Sequence, residues 1–119
     1  MAIGHYKNLI VWQKSMDLVL EVYQLTDKYP KHEVYSLGGH TRKTAISIPS
    51  NIAEGSKRSS QKDYRHFLFN AYGSGAELET QIEIAKRLNY ASISDYAKAE
   101  ALLSEVMKML NRLCKDLEE

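Results

Sequence analysis

Lys57, Arg58, Lys62 and Arg65 fall within nine residues, and cations spaced this closely suit the neutralisation of phosphates on a nucleic acid. A basic turn of this kind is also common on soluble helical proteins, where it serves solubility alone. A second group, Arg42, Asn51, Glu54 and Glu77, stands on two helix-forming stretches and is expected to pair across them. Such a cluster more often sets the register of two helices than catalyses a reaction. Other chemistry finds little support. A dimetal bundle requires a His three residues after a Glu, and none of the four histidines is so placed. Gly73-Ser74-Gly75 lacks the spacing of a nucleophile elbow or a dinucleotide fingerprint. Glu79 and Glu83 are i,i+4 neighbours of the kind found on any solvated helix face. The expectation is a non-enzymatic protein with no metal and no cofactor.

The elements that must position these groups are legible from periodicity. In the third helix, expected from Gln61 to Asn89, Tyr64, Leu68, Ala71, Gly75, Leu78, Ile82 and Ala85 recur at steps of four and three, a bundle seam. Ser60 and Asp63 have capping-box spacing before it, and Gly55 is read as the left-handed stop of the preceding helix. The glycine-rich middle, Ala71 to Ala76, reads as helix because the seam passes through Gly75 in phase; a loop is the alternative.

The second helix is expected from about Val34 to Glu54, with Leu37, Thr41, Ala45, Ile48 and Ile52 inward. Pro49 either bends it or breaks it at Ser47 to Ser50. The first helix is expected to follow Asn8 as N-cap and to end at Tyr29, before Pro30. The fourth follows Ser92 or Ser94, with Tyr96, Ala99, Leu103, Val106, Leu110, Leu113 and Leu117 as its seam. The fold expected is an all-α, antiparallel up-down-up-down four-helix bundle, one domain over residues 1–119.

Two apolar stripes compete on the first helix: Leu9, Trp12, Met16, Val19, Tyr23 and Thr26, and Val11, Leu18, Val22 and Leu25. One bundle buries only one of them. Exposing the other stripe would forfeit about 1.5–3 kcal/mol for each large side chain, so Val11, Leu18, Val22 and Leu25, with Phe69 on the third helix, are assigned to a homo-oligomer interface.

The totals agree with a single soluble domain. Sixteen Lys and Arg oppose fifteen Asp and Glu, yet residues 40 to 66 hold six bases and two acids, so the positive charge gathers at the elbow. The lone Cys114 forms no internal disulfide, which points to a reducing, cytoplasmic setting. The longest uncharged run, His66 to Ala76, falls short of the roughly 20 residues that cross a bilayer, so no membrane partner is expected.

Ser47-Ile48-Pro49-Ser50-Asn51-Ile52-Ala53-Glu54-Gly55, followed by Phe67-Leu68, Ala71, Gly73-Ser74 and Glu77-Leu78-Glu79, resembles the signature of the 23S rRNA intervening sequence protein family. Tyr6-Lys7-Asn8-Leu9, Val11-Trp12-Gln13-Lys14, Tyr29-Pro30 with Glu33, and Met109-Leu110 extend the resemblance along nearly the whole chain. It implies a ring-like homopentamer of four-helix bundles without known catalytic activity and with a link to RNA. A related branch, the accessory variability proteins of diversity-generating retroelements, binds nucleic acid. The chain departs from the family pattern at Gly38-Gly39-His40-Thr41, which bears on where the second helix begins. The function expected is nucleic-acid binding, to structured RNA, through Lys57, Arg58, Lys62 and Arg65; the alternative is a scaffold docking a protein partner.

Overall fold

A computed structural model describes residues 5–118, which form four α-helices: α1 (Ile10–Thr26), α2 (Leu37–Ser56), α3 (Gln61–Arg87) and α4 (Ala97–Asp116). Short 3-10 turns, Tyr6–Asn8, Lys31–Glu33 and Ile93–Tyr96, precede α1, α2 and α4, and there is no strand among the described residues. The main packing contacts run α1 to α2, α2 to α3, α3 to α4 and α4 back to α1, a four-helix bundle around one core.

The seam of α3 is buried at all seven expected positions, and the helix runs unbroken through its glycines. Gly75 makes room there for the side chain of Met107 on α4. On α4 the buried line is Ala99, Leu103, Val106, Leu110 and Cys114, so Cys114 replaces Leu113 at its end while Leu113 and Leu117 are half-buried.

On α1 the outcome is the reverse of the one expected. Val11, Leu18, Val22 and Leu25 lie in the protomer's own core, so none of the four is a free interface residue. Trp12 and Val19 are half-buried beside them, Met16 and Tyr23 are exposed, and Phe69 alone of the five interface candidates faces outward. Both stripes had adequate apolar content, and the roll of α1 against α2 and α4 decides between them. Asn8 is not the N-cap either: it closes the first 3-10 turn, and Leu9 occupies the cap position without a side-chain hydrogen bond.

Helix α2 begins three residues later than expected, and the Gly38-Gly39 pair explains why. Chain entering from the Lys31–Glu33 turn doubles back so tightly that a Cβ at Gly38 or Gly39 would collide with the carbonyl oxygens of Glu33 and Val34. The first turn of α2 has no Ser or Thr side-chain cap. Its Leu37 N–H is instead satisfied by the Glu33 carboxylate, at 3.0 Å. Pro49 lies inside α2 and does not divide it.

The other Glu33 oxygen accepts from the Tyr90 hydroxyl at 2.9 Å. Tyr90 is delivered by the end of α3, where Asn89 takes a left-handed conformation (φ 58°) and the N–H groups of Asn89 and Tyr90 return to the carbonyls of Lys86 and Ala85. That is the Schellman pattern with Asn in place of Gly. The Tyr90 ring also lies 5.6 Å from that of Tyr29, and Lys28 meets Asp95 at 2.7 Å. The α1–α2 and α3–α4 connections are therefore fastened to each other by a carboxylate, two tyrosine rings and one ion pair.

These bonds favour the ionised acids. Glu33 is held below its ordinary value of 4.5, first by the Leu37 N–H and then by Tyr90. Asp95 is lowered from 3.8 to about 2, mainly by Lys28 and then by Ser92. A depressed folded-state pKa contributes stability that is present above the unfolded value and drains away as pH falls through the folded one. The melting temperature should therefore drop as pH falls below 4.5 and on toward 2. Glu33→Gln should lower it at neutral pH and remove part of that acid sensitivity, which circular dichroism melts across the pH range would reveal.

Candidate nucleic-acid interface

The basic elbow joins α2 to α3, and its shape follows from a close contact. A Cβ on Gly55 would sit 2.7 Å from the Phe67 Cβ and 3.2 Å from the Tyr64 carbonyl oxygen. Gly55 is thus required for backbone approach. It does not adopt the left-handed stop expected of it, since no described glycine has positive φ, and α2 runs on to Ser56. The start of α3 is as expected: the Asp63 N–H donates to the Ser60 hydroxyl at 3.1 Å.

The four expected cations divide into two kinds. Lys57 and Lys62 are exposed and form no ion pair among the described residues. Arg58 is exposed too, but it meets Glu54 at 2.7 Å and its guanidinium lies over the Phe67 ring. A surface pair of this kind is worth about 0–1 kcal/mol, which a phosphate can readily displace. Arg65 is engaged within the fold, where its Nε donates to the Cys114 carbonyl at 2.8 Å and its guanidinium covers Phe69 at 4.7 Å. It fastens α3 to the C-terminal turn of α4 rather than standing free for phosphate.

Folding brings in residues that a linear reading of the elbow passed over. Lys57 lies over the Tyr6 ring at 5.6 Å, which sets Tyr6 and its neighbour Lys7 beside the elbow. Gln61 donates to the Leu117 carbonyl at 3.2 Å, drawing the end of α4 and exposed Lys115 to the same place. The only available signal was that Lys7 and Lys115 lie near the ends of their helices.

The expected interhelical cluster of Arg42, Asn51, Glu54 and Glu77 does not form. Arg42 turns to α1 instead, with Nε to Thr26 at 2.7 Å, an ion pair to Asp27 at 2.6 Å and its guanidinium over Tyr23. Asn51 donates to the Ser47 carbonyl one turn earlier on its own helix, and Glu54 takes Arg58. Smaller groups link α2 and α3: the Ser47 and Ser74 hydroxyls are 2.7 Å apart, and Gln81 Nε2 donates to Thr44 Oγ1 at 3.0 Å. Above them lies an open polar groove of about 410 Å³ that includes Glu77.

No group of three or more His, Cys, Asp and Glu side chains that could hold a metal is found among the described residues, and none of their helices is long and apolar enough to cross a membrane. Burial pushes the Cys114 thiol up, away from the reactive thiolate.

A family model described as 23S rRNA-intervening sequence protein matches residues 7–112. No curated protein matches the chain.

The elbow's contact is open to a direct test. Gly55→Ala gains up to about 1 kcal/mol of helix propensity but forces Phe67 and the Tyr64 carbonyl to shift, an overpacking cost of about 1–3 kcal/mol. It should lower the melting temperature, whereas Gly73→Ala, whose Cβ meets nothing within 4 Å, should raise that of the isolated protomer.

Proposed function

The chain belongs to the 23S rRNA-intervening sequence protein family, and we propose that it is a non-enzymatic, cytoplasmic protein that binds structured RNA through phosphates on its elbow end. In this reading the helices alternate up-down-up-down, and protomers assemble as a ring-like homo-oligomer, pentameric by resemblance. The observation that carries it is the gathering of exposed Lys57, Arg58 and Lys62 with Lys7 and Lys115 at one end of the bundle. Asp63 and Asp116 are also exposed there, so a single elbow holds only a modest excess of positive charge. Rotational symmetry repeats that excess at one height and turns it into a band that meets several phosphates together.

The outer face of α3 supports assembly. Phe69 and Ile84 are 46% and 43% exposed there, with Gly73, Ala76 and Thr80 between them at steps of three and four. A mid-helix glycine costs about 1 kcal/mol relative to Ala, and nothing within the protomer requires one at position 73. A helix of a second copy packed against this stripe supplies the reason.

A second reading, a scaffold that docks a protein partner, is favoured by the turns at α1–α2 and α3–α4. Tyr35 is 95% exposed and Ile93 76%, with Val34 and Leu88 about half-exposed.

Salt dependence separates the two readings. Each phosphate neutralised adds about 0.7–0.9 to the negative slope of log affinity against log salt. Fluorescence anisotropy with a hairpin RNA should show binding that weakens with salt, and Lys57→Glu with Arg58→Glu should make the slope shallower by about 1.4–1.8. Absence of binding at low salt, or binding indifferent to the double reversal, would leave the scaffold reading. Light scattering that returned a monomer at micromolar concentration would remove the ring.

A further inference from the structure

Beside the elbow, α1 and α2 leave an apolar groove open between them. Trp12 and Met16 line it from α1, Ile46 and Pro49 from α2, and Tyr6 at the end that touches the elbow. Its volume, about 340 Å³, lies within the range of about 300–1,000 Å³ typical of small-ligand sites. Met16 and Ile46 are 39% and 41% exposed, so apolar surface is left facing water there. Of the lining side chains, only Tyr6, Trp12 and Ser50 carry an N–H or O–H group.

The aromatic rings are held in place, and cations stand beside them. Tyr6 and Trp12 meet edge to face at 5.4 Å, and the His5 ring lies 4.5 Å from that of Tyr6. The Lys57 ammonium lies over the Tyr6 ring at 5.6 Å, and Lys7 adjoins Tyr6 in the chain. Both lysines are exposed, and neither takes part in an ion pair among the described residues. Glu54, next in the chain to groove-lining Ala53, is held by Arg58 at 2.7 Å. At 5.6 Å the Lys57 contact is near the roughly 6 Å limit of cation–π attraction, and at an exposed site it is weaker than a base stacked on the same ring. Lys57 is thus free to leave the ring for a phosphate while a base takes its place. A helix of another protein would cover the apolar surface but bring nothing to the two cations. An occupant that suits both is flat, aromatic and joined to an anion.

We propose that the α1–α2 groove receives one unpaired base of the bound RNA, stacked on the Tyr6 ring beside Trp12 and above Met16 and Ile46, with its flanking phosphates on Lys57 and Lys7. This rests on the RNA-binding reading and adds to it a requirement for unpaired nucleotides. The lining has few hydrogen-bonding groups and every base has an aromatic face, so the site does not choose among bases. A duplex, whose bases are stacked on one another, reaches the cations but not the groove.

Trp12 is the single tryptophan of the chain, so its fluorescence reports on the groove directly. The probes are a hairpin RNA with an all-adenosine loop and an RNA duplex with the same number of phosphates, each followed by anisotropy and by tryptophan emission. The hairpin should quench Trp12 in step with its occupancy, and the duplex should not. Tyr6→Leu should weaken hairpin binding about tenfold and leave the salt slope unaltered, whereas Tyr6→Phe should bind as the wild type does. Ile46→Glu, a change at an exposed position, should also weaken hairpin binding without altering the oligomeric state. Hairpin binding without quenching, equal quenching by the duplex, or wild-type affinity in Tyr6→Leu overturns the groove assignment while RNA binding stands. A change of oligomeric state in Ile46→Glu, seen by light scattering, also overturns it, because a second copy then covers the groove. Failure of the wild type to bind either probe overturns the RNA-binding reading and this inference with it.

Discussion

At Gly55 the backbone of α2 lies so close to Tyr64 and Phe67 of α3 that there is no room for a methyl group. This approach brings the two helices into close contact at the elbow. Further along the pair, the separation is small enough for Ser47 to reach Ser74 and for Gln81 to reach Thr44, yet wide enough to leave a polar groove above them. A bulkier residue at position 55 would disturb the packing at the elbow.

The far connections are held by a different kind of force. Burial governs the elbow side, whereas Glu33 joins the two distant turns through directed bonds, to Leu37 N–H and to the Tyr90 hydroxyl. The carboxylate acts as the N-cap of α2, a role its own first residues leave unfilled. A charge-assisted bond of this kind is stronger than a neutral one, and it ties the start of α2 to the end of α3. One end of the bundle therefore depends on close packing and the other on an ionised acid.

The polar side chains in between follow a consistent pattern. Arg42, Asn51 and Glu54 each find a partner nearer than the one expected, on the adjacent α1, on the preceding turn, or four residues along the same helix. For Asn51 and Glu54, a partner one turn away costs less conformational freedom than one on another helix, whereas Arg42 still bridges two helices. What crosses from α2 to α3 is short: two serines, a threonine and one glutamine. That substitution of small groups for large ones leaves Glu77 and Lys43 exposed and without ion-pair partners among the described residues.

Much of this was present in the chain as written. The number of helices, the full seam of α3, the inner face of α2 and the Ser60 cap follow from period and local hydrogen bonding, which depend on residues a few positions apart. The tertiary structure alone decided which stripe of α1 is buried, because both are apolar and only the roll of that helix on its neighbours separates them. It alone decided that Arg65 serves the end of α4, that Lys7 and Lys115 join the elbow, and that Glu33 caps α2 with help from Tyr90. Each of these pairs spans either a tight turn of unusual geometry or dozens of residues of chain. Periodicity fixes a helix's faces, but their direction and the partners they meet depend on how separate helices stack.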